Sequence, residues 1–530
     1  MRVPSLTSDT PQRKIRERIR ARPREGVRVA PGSPSLADSL TFAAVSAVSE
    51  ERETDLEALL RLVPYFRDLD RRARDQFGPW PPNKRPYTRP MRRLVAVVCA
   101  LPLLAMQAPL ESPWTQPTTP LVPVTRFDSP LIGVLSSDLG TVVVPSWLAE
   151  RLERMPGARF IADPDPITRV RATGEVALVP PELVTSGVKT LELDGRFFWR
   201  VADRADWPLR ARVDRADPVQ RTWSVLAAGE IIFGRGVQER IETRFKGDAR
   251  AAFVNVRDRL RSADLAVATL EAPLSGNANR WCDTCMTFVG NVRYATSLVD
   301  AGLGVVSLAA NHIGDAGPTG VLDTISALDA VKVAYVGAGA TAEKARLPFI
   351  TTVAGRRVAL LAYDDVPPAG YGASRTSAGS NFLRHDDFTY GQVRFDVSHA
   401  RASADVVIVL AHWGIEYEDA PRANVVAAAH AMVEAGATVV IGDHPHWVQS
   451  VERYHGAYIA YGVGNFVFDQ MWSEETRQGS LHELSFAGDR LVAVRILPTI
   501  IEDYYRPRLL RTDEPEYRAV LERIWKHSIF

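Results

Sequence analysis

The stretch Ala437–His446 (ATVVIGDHPH) decides the fold, because it joins a short apolar run to a pair of histidines. Its first half is aliphatic and β-branched, which predicts a strand buried on both faces. Gly442 ends the run, and Pro445 fixes the backbone φ between His444 and His446. Two imidazoles on one turn can bind a single metal ion from two sides, or two neighbouring ions.

Three further apolar runs end in the same way, with a metal-ligand side chain at or just after the strand exit. They are ADLAVAT (263–269) before Glu271, GVVSLA (304–309) before Asn311 and His312, and ADVVIVLA (404–411) before His412. Side chains at the carboxyl ends of neighbouring strands meet in one crevice of an α/β sheet. The sequence therefore predicts a layered α/β domain with a metal site at its strand ends.

These candidates also have structural interpretations. The Asn311 amide oxygen can bind a metal without adding charge, and His312 can donate a proton to a leaving oxygen as a general acid. The alternative for this pair is a helix N-terminal turn capped by Asp315. His412 alone is more typical of a buried core histidine, but the other candidates in similar settings favour a ligand. Glu271 is costly at the end of a buried run unless a cation accompanies it, and a bridging metal is the simplest explanation.

An earlier strand ends in Gly229–Gly236 (GEIIFGRG). The frame G-x-x-x-x-G is close to a phosphate-binding P-loop but lacks its Lys-Ser/Thr, which excludes nucleotide binding by that route. Arg235 can contact an anionic substrate or form a surface salt bridge.

Composition excludes some classes of function. The 530 residues include 46% hydrophobic and 24% charged side chains, and the net charge is +1. These are values of ordinary globular protein, with room for more than one domain. No basic surface interleaved with aromatic residues is evident, so nucleic acid is not an expected partner.

The chain divides into six predicted parts. Residues 1–90 are a disordered arm or an over-extended N-terminal region, 91–108 a signal peptide or membrane anchor, and 109–129 a Pro- and Thr-rich linker. Residues 130–215 form a small α/β domain of unknown role, 222–498 the metal-site domain, and 499–530 a C-terminal helical tail. Within the small domain, strands are expected at 141–144, 175–179, 190–193 and 197–201, and a helix at 146–154.

The segment 91–108 (MRRLVAVVCALPLLAMQA) has a basic start, an apolar centre and a small-residue exit, which is the layout of a secretory signal. We therefore expect an extracytoplasmic protein, secreted or anchored to the cell membrane. A disulfide between Cys282 and Cys285 is consistent with that location.

Taken in order, these motifs resemble the CapA family of poly-γ-glutamate and capsule biosynthesis proteins, in the calcineurin-like metallophosphatase superfamily. The resemblance runs from about Val225 to Gln470. It is carried by Gly229–Arg235, Asp264–Pro273, Ala309–Gly317, His412–Gly414, His444–His446 and Gly464–Phe466.

The resemblance implies a four-layer α/β/β/α fold with two divalent ions, Mn, Fe or Zn, held between two β-sheets. By it, Glu271 bridges the ions and His312 is the acid near the leaving group. Asn311, His412, His444 and His446 complete the metal ligands, with Glu230 at a position where the family usually has aspartate. Thr269 and Ala310 also depart from the family pattern, each replacing an asparagine. The departure at Glu230 leaves one, two or no bound ions open.

Two functions follow. The first is an exported metal-dependent phosphoesterase acting on an anionic small molecule or polymer in capsule or poly-γ-glutamate synthesis. The alternative is a non-catalytic accessory subunit of a membrane polymer synthase, which uses the fold as a binding platform.

Overall fold

The computed structural model describes residues 118–149, 151–152, 158–204, 206–213, 220–276, 286–383 and 390–530. The signal or anchor at 91–108 and the cysteine pair at 282 and 285 lie outside these residues. Among the described helices, none has the length and apolar character needed to cross a membrane.

The N-terminal described part, 118–213, is built around a small mixed sheet. Its strands are β1 Thr118–Pro120, β2 Val122–Thr125, β3 Gly133–Val134, β4 Gly140–Pro145, β5 Ala158–Asp163, β6 Ala177–Val179, β7 Lys189–Thr190, β8 Glu192–Leu193 and β9 Arg210–Arg212. The five-stranded sheet has the order β5-β4-β6-β2-β7, and β1 with β9 and β3 with β8 form two short pairs. The helices are α1 Ser146–Ala149, α2 Pro166–Thr173 and α3 Val201–Arg204.

Two larger sheets follow. Their strands are β10 Thr222–Ile231, β11 Leu265–Leu270, β12 Leu303–Ser307, β13 Ala334–Val336, β14 Ala338–Gly339, β15 Phe349–Val353, β16 Arg356–Asp364, β17 Gly379–Ser380, β18 Val406–His412, β19 Val439–Asp443, β20 Val451–Tyr454, β21 Ala457–Ala460, β22 Asn465–Val467, β23 Gln478–Ala487, β24 Arg490–Glu502 and β25 Arg506–Leu509. The first sheet has the order β13-β12-β11-β10-β23-β24-β25, with β22 also paired to β10, and the second has the order β15-β16-β18-β19-β21-β20. Strands β10 to β13 run parallel, as do β16, β18, β19 and β21.

Helices connect these strands. They are α4 Arg235–Phe245, α5 Arg257–Arg261, α6 Ala295–Ala301, α7 Gly317–Val331, α8 Ala342–Ala345, α9 Gly391–Ser403, α10 Ala423–Glu434, α11 Glu474–Arg477 and α12 Pro515–Trp525. Long helices between parallel strands are the expected crossovers of an α/β protein, so the predicted mixed α/β class is confirmed.

Alternation along the strands sends successive side chains to two different cores. Val225 of β10 packs in a cluster that also contains Ile408 of β18 and Val439 of β19, so the two sheets share one apolar core. The adjacent Leu226 faces the opposite side and packs with α4 and α7. On the second sheet, Val407 likewise faces away from the shared core, toward α9 and α10.

The structure corrects several boundaries. Residues 118–125 were expected in a linker, but β1 and β2 pair with other strands and β2 is fully buried, so these residues belong to the N-terminal sheet. The expected strand at 197–201 is wrong. Phe197, Phe198 and Trp199 lie in a turn before α3, and their rings fill the small core, so apolar content here reflects burial rather than extended backbone.

Two further predicted bounds change. The helix expected at 146–154 ends at Ala149. The boundary at residue 498 falls inside β24, and β25 follows before the predicted C-terminal helix α12. Val520 and Ile524 of α12 pack into the core between the sheets, so the tail is part of the large domain.

A buried histidine on β23 predicts acid sensitivity. His482 lies 2.8 Å from the Tyr458 hydroxyl through Nδ1 and 3.0 Å from the Ser480 hydroxyl through Nε2. Burial lowers the pKa of His482 to about 3. Because the unfolded chain binds this proton near pH 6.5, the stability from neutral His482 is present above pH 6.5 and is lost as the pH falls toward 3, by about 2 kcal/mol at pH 5.

We therefore expect His482→Gln to flatten the dependence of the unfolding free energy on pH between 7.5 and 5, measured by urea denaturation. His399→Gln, on the exposed face of α9, is the control and should keep the wild-type slope. An unchanged slope in His482→Gln would show that other groups cause the acid sensitivity.

Candidate metal centre

The predicted ligands lie at the carboxyl ends of parallel strands from both sheets. On the first sheet, Glu230 is near the end of β10, Glu271 directly follows β11, and Asn311 follows β12. On the second sheet, His412 is the last residue of β18 and Asp443 the last of β19. The two sets meet, because Asn311 Oδ1 lies 3.0 Å from His412 Nε2.

Two groups of side chains have the spacing of a metal site. One is Glu230, His412 and Asp443, and the other is Glu230, Glu271 and His446. In each group the candidate ligand atoms lie within 4.8 Å of one another, and every residue is buried. Glu230 belongs to both groups, whereas Glu271 belongs to one. The bridging role that the family resemblance implies for Glu271 stays a prediction.

Glu230 is held by the turn that carries the two histidines. Its Oε2 lies 2.6 Å from His446 Nδ1, and its Oε1 accepts a hydrogen bond from the backbone N–H of His444. Burial opposes ionisation of Glu230, but the His446 contacts outweigh it and lower its pKa. Glu230 therefore provides the extra methylene expected from a glutamate and reaches both groups as a carboxylate.

Glu271 is the one ligand candidate with no partner for either oxygen among the described residues. Both carboxylate oxygens are buried without a hydrogen bond. Burial raises the pKa of Glu271 to about 7, and the neighbouring charge of Glu230 adds to that rise. A carboxylate in this position fits a bound cation, because otherwise its desolvation has no compensation.

The histidines have contrasting environments. Although burial opposes protonation, the Asp443 carboxylate, 2.7 Å from His412 Nδ1, raises the pKa of His412 to about 10. Burial also opposes protonation of His446, but Glu230 raises the pKa of this histidine to about 9. Burial and the neighbouring histidines lower the pKa of His444 well below its usual value. His444 Nδ1 is also 3.1 Å from His412 Nε2, so three imidazoles converge.

The backbone of the turn that carries His444 and His446 is strained. His444 has φ 88° and His446 has φ 59°, in the left-handed region that residues other than glycine rarely adopt. Strain of this kind persists where the surrounding structure over-determines it, commonly at functional sites.

His312 lies outside both groups, and its role as the acid stays a prediction. Its Nδ1 is 2.9 Å from Asp315 Oδ2, which also accepts the Phe288 backbone N–H at 2.6 Å. The Phe288 ring packs on His312 with centroids 4.0 Å apart. Asp315 therefore orients His312, and its carboxylate is engaged rather than free for a metal.

Arg235 forms the salt bridge that sequence reasoning held as the alternative to a substrate contact. Its guanidinium pairs with Asp469 and stacks 4.2 Å from the Phe288 ring. Its side chain still lines a cavity of about 350 Å³ that also contacts Asn311, His312 and His446. Contact with an anionic substrate stays a prediction for Arg235.

Sequence reasoning missed two residues of this centre. Asp443 precedes His444 directly and sits at a strand exit, so the criterion that selected the other ligands would have found it. Asn465 was included only in the motif Gly464–Phe466 and was given no role, but its Oδ1 lies 3.0 Å from His446 Nδ1. Its amide donates to Gln470 Oε1 and the Thr476 carbonyl, which orients that oxygen toward the histidine.

The fold and this site define an α/β protein with a buried centre of carboxylates and imidazoles suited to divalent cations. The sequence profile described as "Bacterial capsule synthesis protein PGA_cap" matches residues 224–470. Through these residues, a little under half of the chain, the protein is similar to the CapA family.

Three curated relatives support the family. The capsule biosynthesis protein CapA of Bacillus anthracis is 32% identical over 278 residues, which is 52% of this chain and 66% of the relative, just under two thirds. The PGA biosynthesis protein CapA of Bacillus subtilis (strain 168) is 29% identical, covering 59% and 82%. A probable polyglutamine synthesis accessory protein of Mycobacterium tuberculosis is 27% identical, covering 57% and 90%.

Among solved structures, the NAD nucleotidase NadN of Haemophilus influenzae is similar with a TM-score of 0.33 and 12% identity, over 58% of this chain and 64% of that chain. At this level of likeness no function is carried over.

The glycine at the base of Glu230 supports a first test of the centre. A Cβ on Gly229 would lie 1.8 Å from the Gly464 carbonyl oxygen, so the backbone before Asn465 could not approach β10. We expect Gly229→Ala to lower the unfolding free energy by about 1–3 kcal/mol and to reduce bound metal, measured by denaturation and elemental analysis. Gly276→Ala, where a Cβ meets nothing within 4 Å, is the control.

Substitution of Glu271 should have opposite effects on stability without metal and on metal content. In metal-stripped protein at pH 8, Glu271→Gln removes an unpaired buried charge and should raise the unfolding free energy by about 1–2 kcal/mol. The same variant should bind less metal than wild type in elemental analysis. His446→Ala is the contrast, because it should lose both metal and stability by leaving Glu230 without its partner. Normal metal content in both variants would contradict the assignment.

Proposed function

We propose that this protein is an exported, metal-dependent phosphoesterase that acts in the synthesis of a capsule or another cell-surface polymer. The observation that carries the proposal is Glu271, a buried carboxylate beside a second carboxylate, Glu230, with no hydrogen-bond partner among the described residues. A protein interior tolerates this arrangement when a cation is bound there.

The layering of the large domain supports the proposal. The two sheets share an apolar core, and helices pack on both outer faces, which fits a four-layer metallophosphatase-like fold. The ligand candidates come from strand ends of both sheets, where such folds place ligands.

The donors of the site fit two divalent ions. Glu230 with His412 and Asp443 would hold one ion, and Glu230 with Glu271 and His446 a second. The neighbouring donors that can complete these two ligand sets are Asn311, His444 and Asn465. Imidazole and carboxylate ligands suit Mn, Fe or Zn and exclude a thiolate-selective site.

When bound, the ions supply Lewis-acid polarisation of a phosphoryl oxygen and lower the pKa of water. His312 supplies the proton. Asp315 fixes Nδ1 of this ring, so Nε2 is left to carry a proton to the leaving oxygen. The Phe288 ring on one face of the imidazole keeps it in place and limits access of water.

The names of two relatives support a role in the synthesis of a cell-surface polymer. Two are named for capsule or PGA biosynthesis, so an anionic polymer or one of its precursors is the substrate class we propose. The signal-like segment 91–108 supports a location outside the cytoplasm, with a membrane anchor there as the alternative to cleavage.

His312 gives the test of catalysis. We expect His312→Gln to lower kcat for an alkyl phosphate in the presence of Mn²⁺ by about 10²–10⁴, with metal content unchanged. The loss should be smaller for p-nitrophenyl phosphate, because its leaving group departs without a proton. Steady-state kinetics on the two substrates measures this ratio.

His455→Gln is the matched control. His455 lies on an exposed turn between β20 and β21, so this variant should keep wild-type rates. Equal losses on both substrates would contradict the acid role of His312.

The second candidate is a non-catalytic accessory subunit of a membrane polymer synthase. The relative named as a probable polyglutamine synthesis accessory protein favours it. Metal-loaded protein that turns over no phosphoester, yet co-purifies with synthase subunits, would support this function over the first.

A further inference from the structure

One wall of the cavity next to the metal centre is acidic and aromatic. We call Glu416, Tyr417 and Trp472 the acidic-aromatic wall; all three line the cavity. The Trp472 side chain is 63% exposed and Tyr417 is 38% exposed, so neither ring serves mainly as core packing. The wall is therefore available to a ligand that reaches the centre.

The charges of the cavity leave Glu416 without full compensation. Arg235 is neutralised by Asp469, and Asp315 is engaged by His312. Within the described part of the chain, the basic group paired with Glu416 is the His446 imidazole, at 3.9 Å, and Glu230 already competes for that ring.

The two rings form a corner suited to a cation. Tyr417 and Trp472 lie with centroids 6.3 Å apart and planes at 73°, so their faces are not parallel. Such a corner next to a carboxylate is the arrangement that surrounds an alkylammonium group, through cation–π attraction and charge. A flat sugar or base would use one open ring face instead.

The wall is fixed to the metal centre. The Tyr417 backbone N–H donates to the Pro445 carbonyl at 2.9 Å, and Gln470 Nε2 donates to the Tyr417 hydroxyl at 3.3 Å. Tyr417 also has φ 64°, a strained value that this anchoring maintains. Its ring is 5.8 Å from His446, so a group on the wall is close to a group on the centre.

We propose that the cavity selects phosphoesters in which a short linker joins the phosphate to an alkylammonium group. The phosphate would lie at the carboxylate and imidazole centre, and the ammonium group would lie between Glu416, Tyr417 and Trp472. This inference rests on the proposed function for the position of the phosphate, and it adds the substrate class.

The kinetic test uses two esters of the same shape. p-Nitrophenyl phosphorylcholine carries a trimethylammonium group, and p-nitrophenyl 3,3-dimethylbutyl phosphate has the uncharged carbon analogue. With Mn²⁺-loaded full-length protein, we expect kcat/KM to favour the choline ester. Glu416→Gln should reduce that preference about two- to fivefold, since a charge contact at an exposed site has this size.

Glu418→Gln is the matched control. Glu418 lies in the same loop but pairs with Arg422 at the surface, so this variant should keep the wild-type preference.

A binding measurement separates failure of this inference from failure of the proposed function. Calorimetric titration compares phosphocholine with 3,3-dimethylbutyl phosphate, in wild type and in Trp472→Ala. If neither ester is hydrolysed but phosphocholine still binds more tightly and Trp472→Ala removes the difference, catalysis is refuted and the inference stands. Equal affinities, tighter binding of a sugar phosphate, or loss of metal in Glu416→Gln would each overturn the inference.

Discussion

The unpaired carboxylate of Glu271 is the constraint on which the rest of the centre depends. Its two oxygens are buried without partners, and the Glu230 carboxylate adds to the negative potential there. Desolvation of an isolated ion costs several kcal/mol, which no hydrogen bond among the described residues offsets for Glu271. The fold therefore keeps a local instability that a bound cation would remove.

That instability persists because the surroundings cannot relax. Glu230 is held by both His444 and His446, whose backbones are themselves fixed in the left-handed region. Below it, Gly229 lies so close to the Gly464 carbonyl that no side chain fits between the strands. A donor cannot move in to satisfy Glu271 without moving two sheets, so rigidity of the strand ends is what preserves the site.

Sequence patterns predicted the parts of this arrangement that depend on local periodicity. The strand exits before Glu271 and at His412 lie where the apolar runs indicated them. Residues 118–125 and 197–201 were mispredicted because Pro-rich and aromatic segments can be buried in either strands or turns, and only tertiary packing decides. Likewise, the strand-exit pattern could have marked Asp443 as a candidate, but its contact with His412 depends on the pairing of β18 with β19, which spacing along the chain does not encode.

In the absence of an ion, protonated histidines partly compensate the carboxylates of the centre. With pKa values of about 10 and 9, His412 and His446 are protonated at neutral pH and take the position of counter-ions to Asp443 and Glu230. A metal must displace those protons, because it binds the deprotonated ring. The centre thus has a protonated state, in which the charges on His412 and His446 only partly compensate Glu271, and a cation-bound state would compensate it further.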